Sequence, residues 1–407
     1  MTSKNGNRRF FIVTGALILG ILAVLGVLWG SRSGEDRSAR RAVEAATAEP
    51  APTAAETAAP APTATAAPTR TPTRAPTAEP TEVPPEETAA PRAGESEILI
   101  TCVGDCTLGG DVPSGGYRDF ASMARSKGPA YFLKNIKPLL EADDLTIVNL
   151  EGPLTGSNDK RKYREFNFRG YPQYAKILSA GSVEVANVAN NHALDYGRSG
   201  LEETKRVLEA EGIGVSGFDF IWHREINGIV VCSVGFTEWD FSEREIRKNL
   251  SYVRQKCDLL IVSMHWGLEL KHEPTTKMKR LAKLCVDAGA DLVIGNHSHR
   301  YGGLVKYRGK YIIYSLGNFC FGGNRHPSDM RCTIFQQRFV FRDGQLTDGG
   351  INLIPASISS SASYNNYQPT LLTGDAVNKY LRDVYSVSSV DASQIIWIGG
   401  DPGPDLP

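Results

Sequence analysis

The sequence predicts an α/β fold, and three observations carry that reading. From about residue 96, short runs of β-branched and apolar residues alternate with longer stretches of helical periodicity. Toward residue 356 the alternation gives way to strand-like stretches with no helix between them, an antiparallel addition. Polar residues also gather repeatedly where an apolar strand runs out. In α/β sheets the loops at the carboxyl ends of strands converge on one crevice.

The elements follow in order. Ile98–Val103 is an apolar run and a strand. "PAYFLKNIKPLLEADD" reads as helix, and "LTIVNLEGPLT" as a strand and loop. "YPQYAKILSAG" is helical, "SVEVANV" a strand, and "SGLEETKRVLEAEG" a helix that stops at Gly212, where glycine favours termination. "IGVSG" and "IVVCSVGF" are strands. "SEREIRKNLSYVRQK" is a helix, "CDLLIVSMHWG" a strand, "TKMKRLAKLCVDAG" a helix and "ADLVIGNHSH" a strand. "GLVKYRGKYIIYSLGNF" reads as a hairpin turning at Arg308-Gly309. "RCTIFQQRFVFRDGQLTDGGINLIPAS" is strand-like, and "GDAVNKYLRDVY" a further helix. One folded domain over 96–356 accounts for the pattern, with 357–407 as a C-terminal extension.

The N-terminal quarter is different. Residues 10–30, "FFIVTGALILGILAVLGVLWG", contain no charge. A helix needs about 20 such residues to cross a bilayer, whereas a cleaved signal has an apolar core of about 7–15. The expected element is an uncleaved transmembrane signal anchor after a short cytoplasmic tail, 1–9. Lys4, Arg8 and Arg9 precede it and Arg32, Arg37, Arg40 and Arg41 follow, so charge alone does not orient it. The short tail and the long linker favour a single-pass protein of the cell membrane with its folded domain extracytoplasmic. Residues 31–95 are mainly Ala, Pro, Thr and Glu and form a disordered linker, too poor in apolar residues for a core. Its prolines favour extended segments of about 3.1 Å per residue, which suits a stalk.

Forty-five basic and forty-five acidic residues balance, so charge gives no hint of nucleic acid as a partner. The seven cysteines show no CxxC spacing, which removes the usual structural zinc frameworks. Cys102, Cys232, Cys257 and Cys285 read as buried thiols; Cys320 and Cys332 lie where neighbouring strands could pair them.

Five polar stretches follow the strands. They are "GDCTLG" with Asp105, "NLEGPLT" with Asn149 and Glu151, "NNHALD" with Asn190, Asn191, His192 and Asp195, "HWGLE" with His265 and Glu269, and "GNHSH" with Asn296, His297 and His299. A lone strand-end Asp is usually a cap and a lone His usually a hydrogen-bonded group; five clusters at five strand ends are hard to explain as independent caps. Carboxylate, amide oxygen and imidazole suit a divalent ion such as Mn²⁺, Zn²⁺ or Fe²⁺. In extended backbone, residues two apart share a side, so His297 and His299 are expected to face one site together. A pair of metals bridged by a carboxylate would clamp a phosphate and activate water. His192, beside the candidate ligand Asn191, is then a candidate general acid.

The order of "GD", "NLEGPLT", "NVANNHALDYG", "HWGLE", "GNHSH" and "YSLGNF" over about residues 97–325 resembles the CapA family of poly-γ-glutamate capsule-synthesis proteins. The resemblance implies the fold of calcineurin-like metallophosphoesterases, a four-layer sandwich of two mixed β-sheets flanked by helices. It implies one or two divalent metals held by Asp105, Glu151, Asn191, His265, His297 and His299, with Glu151 at the bridging position and His192 as proton donor. The phosphoesterase pattern has a His two residues after the first Asp; here Thr107 stands there, so one metal site lacks a ligand. Arg169 resembles a family element able to hold an anion by its planar fork, or is a surface residue of a charged loop. Glu269 and Asn318 are expected to hold histidine rings. Asp195 either orients His192 or caps the next helix, the second being preferred. Trp266 is as consistent with packing as with substrate contact, and His223, His272 and His326 read as structural.

The implied function is synthesis, attachment or export of an anionic surface polymer such as poly-γ-glutamate. The chain would act as a metal-dependent hydrolase or transferase on phosphoester or amide bonds, alongside other capsule-synthesis membrane proteins. The competing expectation is a non-catalytic, partner-binding subunit of a membrane polymer-synthase complex.

Overall fold

The computed structural model describes residues 94–111, 115–162 and 165–389. The apolar run 10–30 and the linker 31–95 therefore lie outside the described residues, apart from the last two positions of the linker. Among the described residues no helix is long and apolar enough to cross a membrane.

Two mixed sheets form the centre. The first contains β1 (Glu95–Thr107), β3 (Leu145–Leu150), β5 (Val185–Asn187) and β6 (Gly214–Ser216), all parallel. Its other half is antiparallel: β14 (Arg331–Arg342) pairs with β1, β15 (Gln345–Ser357) with β14, and β16 (Thr370–Leu371) with β15. The second sheet runs β11 (Leu304–Tyr307), β12 (Lys310–Ile313), β10 (Leu292–Asn296), β9 (Leu259–His265), β8 (Ile229–Thr237), β7 (Trp222–Ile226), with antiparallel strands only at its two edges. A two-residue pair, β2 (Gly110–Asp111) with β4 (Phe168–Arg169), lies apart from both.

Strand alternation builds the layers. In β9 all seven residues are buried; Ile261 points toward the first sheet, where it joins Ile98, Ile100 and Ile147 with Val231 and Leu292. Its neighbours Leu260 and Val262 point the other way, against Ile246 and Leu250 of α4 (Glu243–Arg254) and Leu281 and Cys285 of α5 (Thr276–Asp287). The outer face of the first sheet packs on α1 (Gly115–Lys127), α2 (Ala175–Ala180) and α3 (Gly197–Ala210) through Phe120, Ile177, Leu178, Leu201 and Leu208. The result is helices, sheet, sheet and helices: four layers. The helix starts are sharply specified. Ser242 and Glu245 form a reciprocal capping box for α4, with Ser242 N donating to Glu245 Oε2 at 2.8 Å, and Thr275 caps α5.

Four details depart from the sequence reading. Trp222–Ile226 is a strand hairpinned to β8 through Asn227-Gly228, both at positive φ, a turn that suits the strand twist. Gly115–Lys127 is a helix that the reading passed over. The stretch read as one hairpin ending in "SLGNF" is divided: β11 and β12 form the hairpin in the second sheet, while β13 (Asn318–Phe321) crosses to pair with β1 in the first. The folded unit also runs past residue 356. β16 extends the sheet, and α6 (Asp375–Ser386) packs Tyr380, Leu381 and Val384 into the core between the sheets.

All seven cysteines are free thiols, so Cys320 and Cys332 do not pair. Cys320 instead donates to Tyr367 O at 3.6 Å, and Cys257 is half-buried.

Candidate metal centre

The parallel strands of both sheets end at one place, and the polar residues follow them there. A register shift in β1 between Val103 and Asp105 lets the strand bend and re-aim Asp105. Gly104 permits a close crossing at this bend, since a Cβ there would meet Gly317 O at 1.9 Å. Asp105 N donates to that same carbonyl at 2.9 Å, which brings Asn318 alongside.

Six candidate ligands converge. The donor atoms of Glu151, His265 and His297 all lie within 4.8 Å of one another, and so do those of Asp105, Glu151 and His299. Glu151 belongs to both sets. Asn191 joins the first: its Oδ1 lies 2.8 Å from His265 Nε2, which is 3.2 Å from His297 Nδ1. Glu151 Oε1 lies 3.7 Å from His265 Nε2 and 4.0 Å from His299 Nε2. These separations suit ligands that approach one ion at about 2.0–2.3 Å. Asp105, Glu151, His265 and His297 are buried, while Asn191 and His299 are half-buried.

The residues fit a divalent metal. A buried polar atom without a partner costs about 1–3 kcal/mol. Among the described residues, Glu151 Oε1 is buried with no hydrogen-bond partner, and it is the atom that faces both histidine sets. Burial raises the Glu151 carboxyl to about 7, with His299 pulling the other way. Burial and the neighbouring His299 lower His297 to about 4; burial, with His297 and His299, holds His265 well below the ordinary imidazole value. Both are neutral at physiological pH, with lone pairs to give. Burial also opposes charge on His299, but the Glu151 and Asp105 carboxylates outweigh it and push it up to about 10.

His297 and His299 reach the site by a route other than strand alternation. β10 ends at Asn296, and both histidines adopt left-handed backbone, φ 95° and 54°. Non-glycine residues rarely sit there, and such conformations gather at functional sites. Two successive kinks divide the pair between the two ligand sets.

The supporting residues are partly as expected. Asn149 Nδ2 donates to Asp105 Oδ1 at 2.7 Å, and His299 Nδ1 lies 2.9 Å from Asn318 Oδ1. Glu269 does not hold a ring; it is exposed and acts on His299 through its charge. Asp195 is no cap: α3 starts at Gly197 after Tyr196, without a side-chain cap. Its Oδ2 instead lies 2.6 Å from His192 Nδ1 and accepts Phe168 N at 2.7 Å, while the Phe168 and His192 rings stack at 3.9 Å. The Asp195 contact engages Nδ1 of His192, not Nε2. Asn190 supports the turn, donating to Leu150 O at 2.8 Å.

Arg169 stands outside the ligand sets. Its Nη1 donates to Asn158 Oδ1 at 2.9 Å and to Ser157 O, and its guanidinium lies over the Tyr196 ring. Trp266 is core, fully buried, with Nε1 donating to Tyr314 O. His272 Nδ1 meets Tyr301 O at 2.9 Å, a structural contact, and His223 and His326 are exposed.

Three residues at the site were not singled out from sequence as contributors. Asn187 Nδ2 donates to Asn149 Oδ1 at 2.9 Å, extending the relay toward Asp105. Thr107, seen only as a missing histidine, donates to Glu151 Oε2 at 3.1 Å and fixes the carboxylate. Trp239 stands edge-on to His297 with centroids 4.8 Å apart. The only sequence signal for Trp239 is an aromatic just past a strand end.

Comparison with known proteins gives these residues a family. A family model described as bacterial capsule synthesis protein PGA_cap matches residues 99–323. The PGA biosynthesis protein CapA of Bacillus subtilis (strain 168) is 30% identical over 236 residues, covering 52% of this chain and 62% of that protein. The capsule biosynthesis protein CapA of Bacillus anthracis is 30% identical over 267 residues, 58% of this chain and 63% of that one. The matches thus span somewhat under two thirds of each relative. A phosphatase structure from Mycoplasma pneumoniae aligns over 64% of this chain and 94% of its own, at 14% identity and a TM-score of 0.42. With the family model covering more than half of its length, this chain belongs to the PGA_cap family of bacterial capsule synthesis proteins.

Proposed function

We propose that this chain is a membrane-tethered, extracytoplasmic, metal-dependent hydrolase or transferase. It serves the synthesis, attachment or export of an anionic surface polymer of the poly-γ-glutamate kind, with other capsule-synthesis membrane proteins as partners. The names of the two CapA relatives support the polymer; the uncharged run 10–30 and the linker after it support the tether. The observation that carries the chemistry is Glu151, shared by two ligand sets with its Oε1 unpartnered.

Oxygen and imidazole ligands without thiolate suit Mn²⁺, Zn²⁺ or Fe²⁺. When bound, such ions supply Lewis acidity and an activated water. Glu151 would hold both positions, with His265, His297 and Asn191 at one and Asp105 and His299 at the other. The chain's own residues do the rest. Asp195 fixes His192 by Nδ1 and Phe168 fixes its ring plane, so His192 Nε2 delivers a proton to the leaving group of a phosphoester or amide. Asn149 and Asn187 keep Asp105 in place.

A second reading has its own observation. Thr107 replaces a histidine and spends its hydroxyl on Glu151, so the Asp105 set has three ligands rather than four. That favours a partner-binding subunit whose metal is structural. Metal analysis of the purified protein, with a panel of phosphoester and γ-glutamyl substrates, separates the two. Metal-dependent turnover of any member supports the enzyme; bound metal with no turnover across the panel supports the subunit.

A further inference from the structure

We infer that Arg161 and Trp239 form a substrate clamp beside the candidate metal centre, selecting a chain that carries carboxylates on an aliphatic amide backbone. The inference rests on the proposed polymer function and adds the residues that would read the polymer.

A cavity of about 290 Å³ adjoins the ligand sets, lined among others by Arg161, Asn191, Leu194, Phe218, Trp239 and His297. It is at the lower end of ligand-sized cavities, roughly 300 Å³, and admits a short segment of chain. Two of its walls, Asn191 and His297, are candidate ligands, so an occupant touches the edge of the metal centre.

Trp239 is 49% exposed although its neighbours His265 and His297 are buried. Its loop is fixed: Glu238 N donates to His265 O at 3.1 Å, and Asp240 N to Thr237 Oγ1 at 2.9 Å. A large apolar face held rigid and open beside a polar centre is a platform for an apolar or planar segment. Phe218 and Leu194 extend the apolar lining.

Arg161 is a cation of this lining among the described residues. It is exposed, and its backbone N donates to Asp195 O at 2.7 Å, which ties it to the residue that orients His192. Asp240 also lines the cavity, but its Oδ2 accepts the Thr237 hydroxyl at 2.7 Å. A guanidinium fork recognises a carboxylate. The cavity thus asks for an anionic group at Arg161, a flat or aliphatic segment over Trp239, and a reacting bond near Asn191 and His297. A small phosphate ester leaves Trp239 bare. A γ-linked chain, with a carboxylate, two methylenes and an amide in every unit, fills all three places.

Calorimetric titration of the Mn²⁺-loaded full-length protein tests the clamp. The probes are a short γ-linked oligoglutamate and the same oligomer with its carboxylates amidated. Arg161→Gln is expected to weaken the charged oligomer about tenfold, the order of one charge-assisted hydrogen bond, and to leave the amidated one unchanged. Arg161→Lys restores part of the loss. Trp239→Leu weakens both oligomers, and metal content stays at the wild-type level in every variant. If Arg161→Gln and Trp239→Leu both bind the charged oligomer like wild type, the clamp is wrong, and wild-type turnover of a γ-glutamyl substrate leaves the proposed function standing. Wild-type protein that binds the charged oligomer in this pattern but turns over no substrate keeps the clamp and removes the hydrolase. Wild-type protein that binds neither oligomer overturns the clamp, and turnover of the phosphoester and γ-glutamyl panel then decides the proposed function separately.

Discussion

His192 is held from two directions, by Asp195 at Nδ1 and by the Phe168 ring across its face. Neither contact passes through a ligand of the candidate metal sets, so the ring can be removed without dismantling them. His192→Ala is expected to keep its metal and its fold while activity falls about 10²–10⁴-fold, the usual worth of general acid catalysis. Loss of the metal instead would make His192 a ligand, and unchanged activity would favour the non-catalytic subunit. The convergence of the candidate ligands was legible because carboxylate, amide and imidazole at successive strand ends have few other uses. Their supports were not. Asn187 reaches Asn149 across 38 residues of sequence and Thr107 reaches Glu151 across 44, contacts that exist only once the strands lie side by side. Of the two roles expected for Asp195, the preferred cap is not seen and the contact with His192 is, while its second partner, Phe168 N, lies 27 residues away, beyond any local signal.

At the scale of elements, strand entry points carry titratable cost. Glu184 sits just before β5, and its Oε2 accepts Thr146 N at 2.8 Å. Burial, reinforced by Asp143, raises its carboxyl from 4.5 to about 7. The folded state therefore binds this proton more tightly than the unfolded chain. The stability it contributes is complete below about 4.5 and is lost as pH rises through about 7. Glu184→Gln keeps an acceptor for Thr146 and removes the charge. Discounted for partial exposure, the gain is about 1 kcal/mol at pH 8, vanishing by pH 4, as denaturant titration at the two pH values would show. Element type was largely legible because periodicity is local. Sheet membership was not, as β13 shows: nothing within "YIIYSLGNF" says that Tyr314–Gly317 carries the chain from one sheet to the other. The β7 hairpin has a local signal in Asn227-Gly228, but the polar His223-Arg224-Glu225 before it breaks the apolar alternation of a strand.

For the whole molecule, two sheets each deliver strand ends to one edge, and Glu151 from the first meets His265 and His297 from the second. On the topology proposed above, protease added to intact cells should cut the linker and release a domain beginning near residue 96. A linker cut only after lysis, in cells whose other surface proteins are accessible, would contradict the extracytoplasmic placement. The four-layer order was implied by family resemblance, while the part played by α6 in the core was hidden because an isolated amphipathic helix does not name its partner. Glu151 belongs to both candidate ligand sets, and metal stoichiometry of the purified full-length protein shows whether two metal positions depend on it. At a free Mn²⁺ concentration that saturates wild type, Glu151→Ala should lose nearly all bound metal. His299→Ala should keep an ion at Asn191, His265 and His297. A folded Glu151→Ala protein that binds as much metal as wild type would show that Glu151 holds neither position.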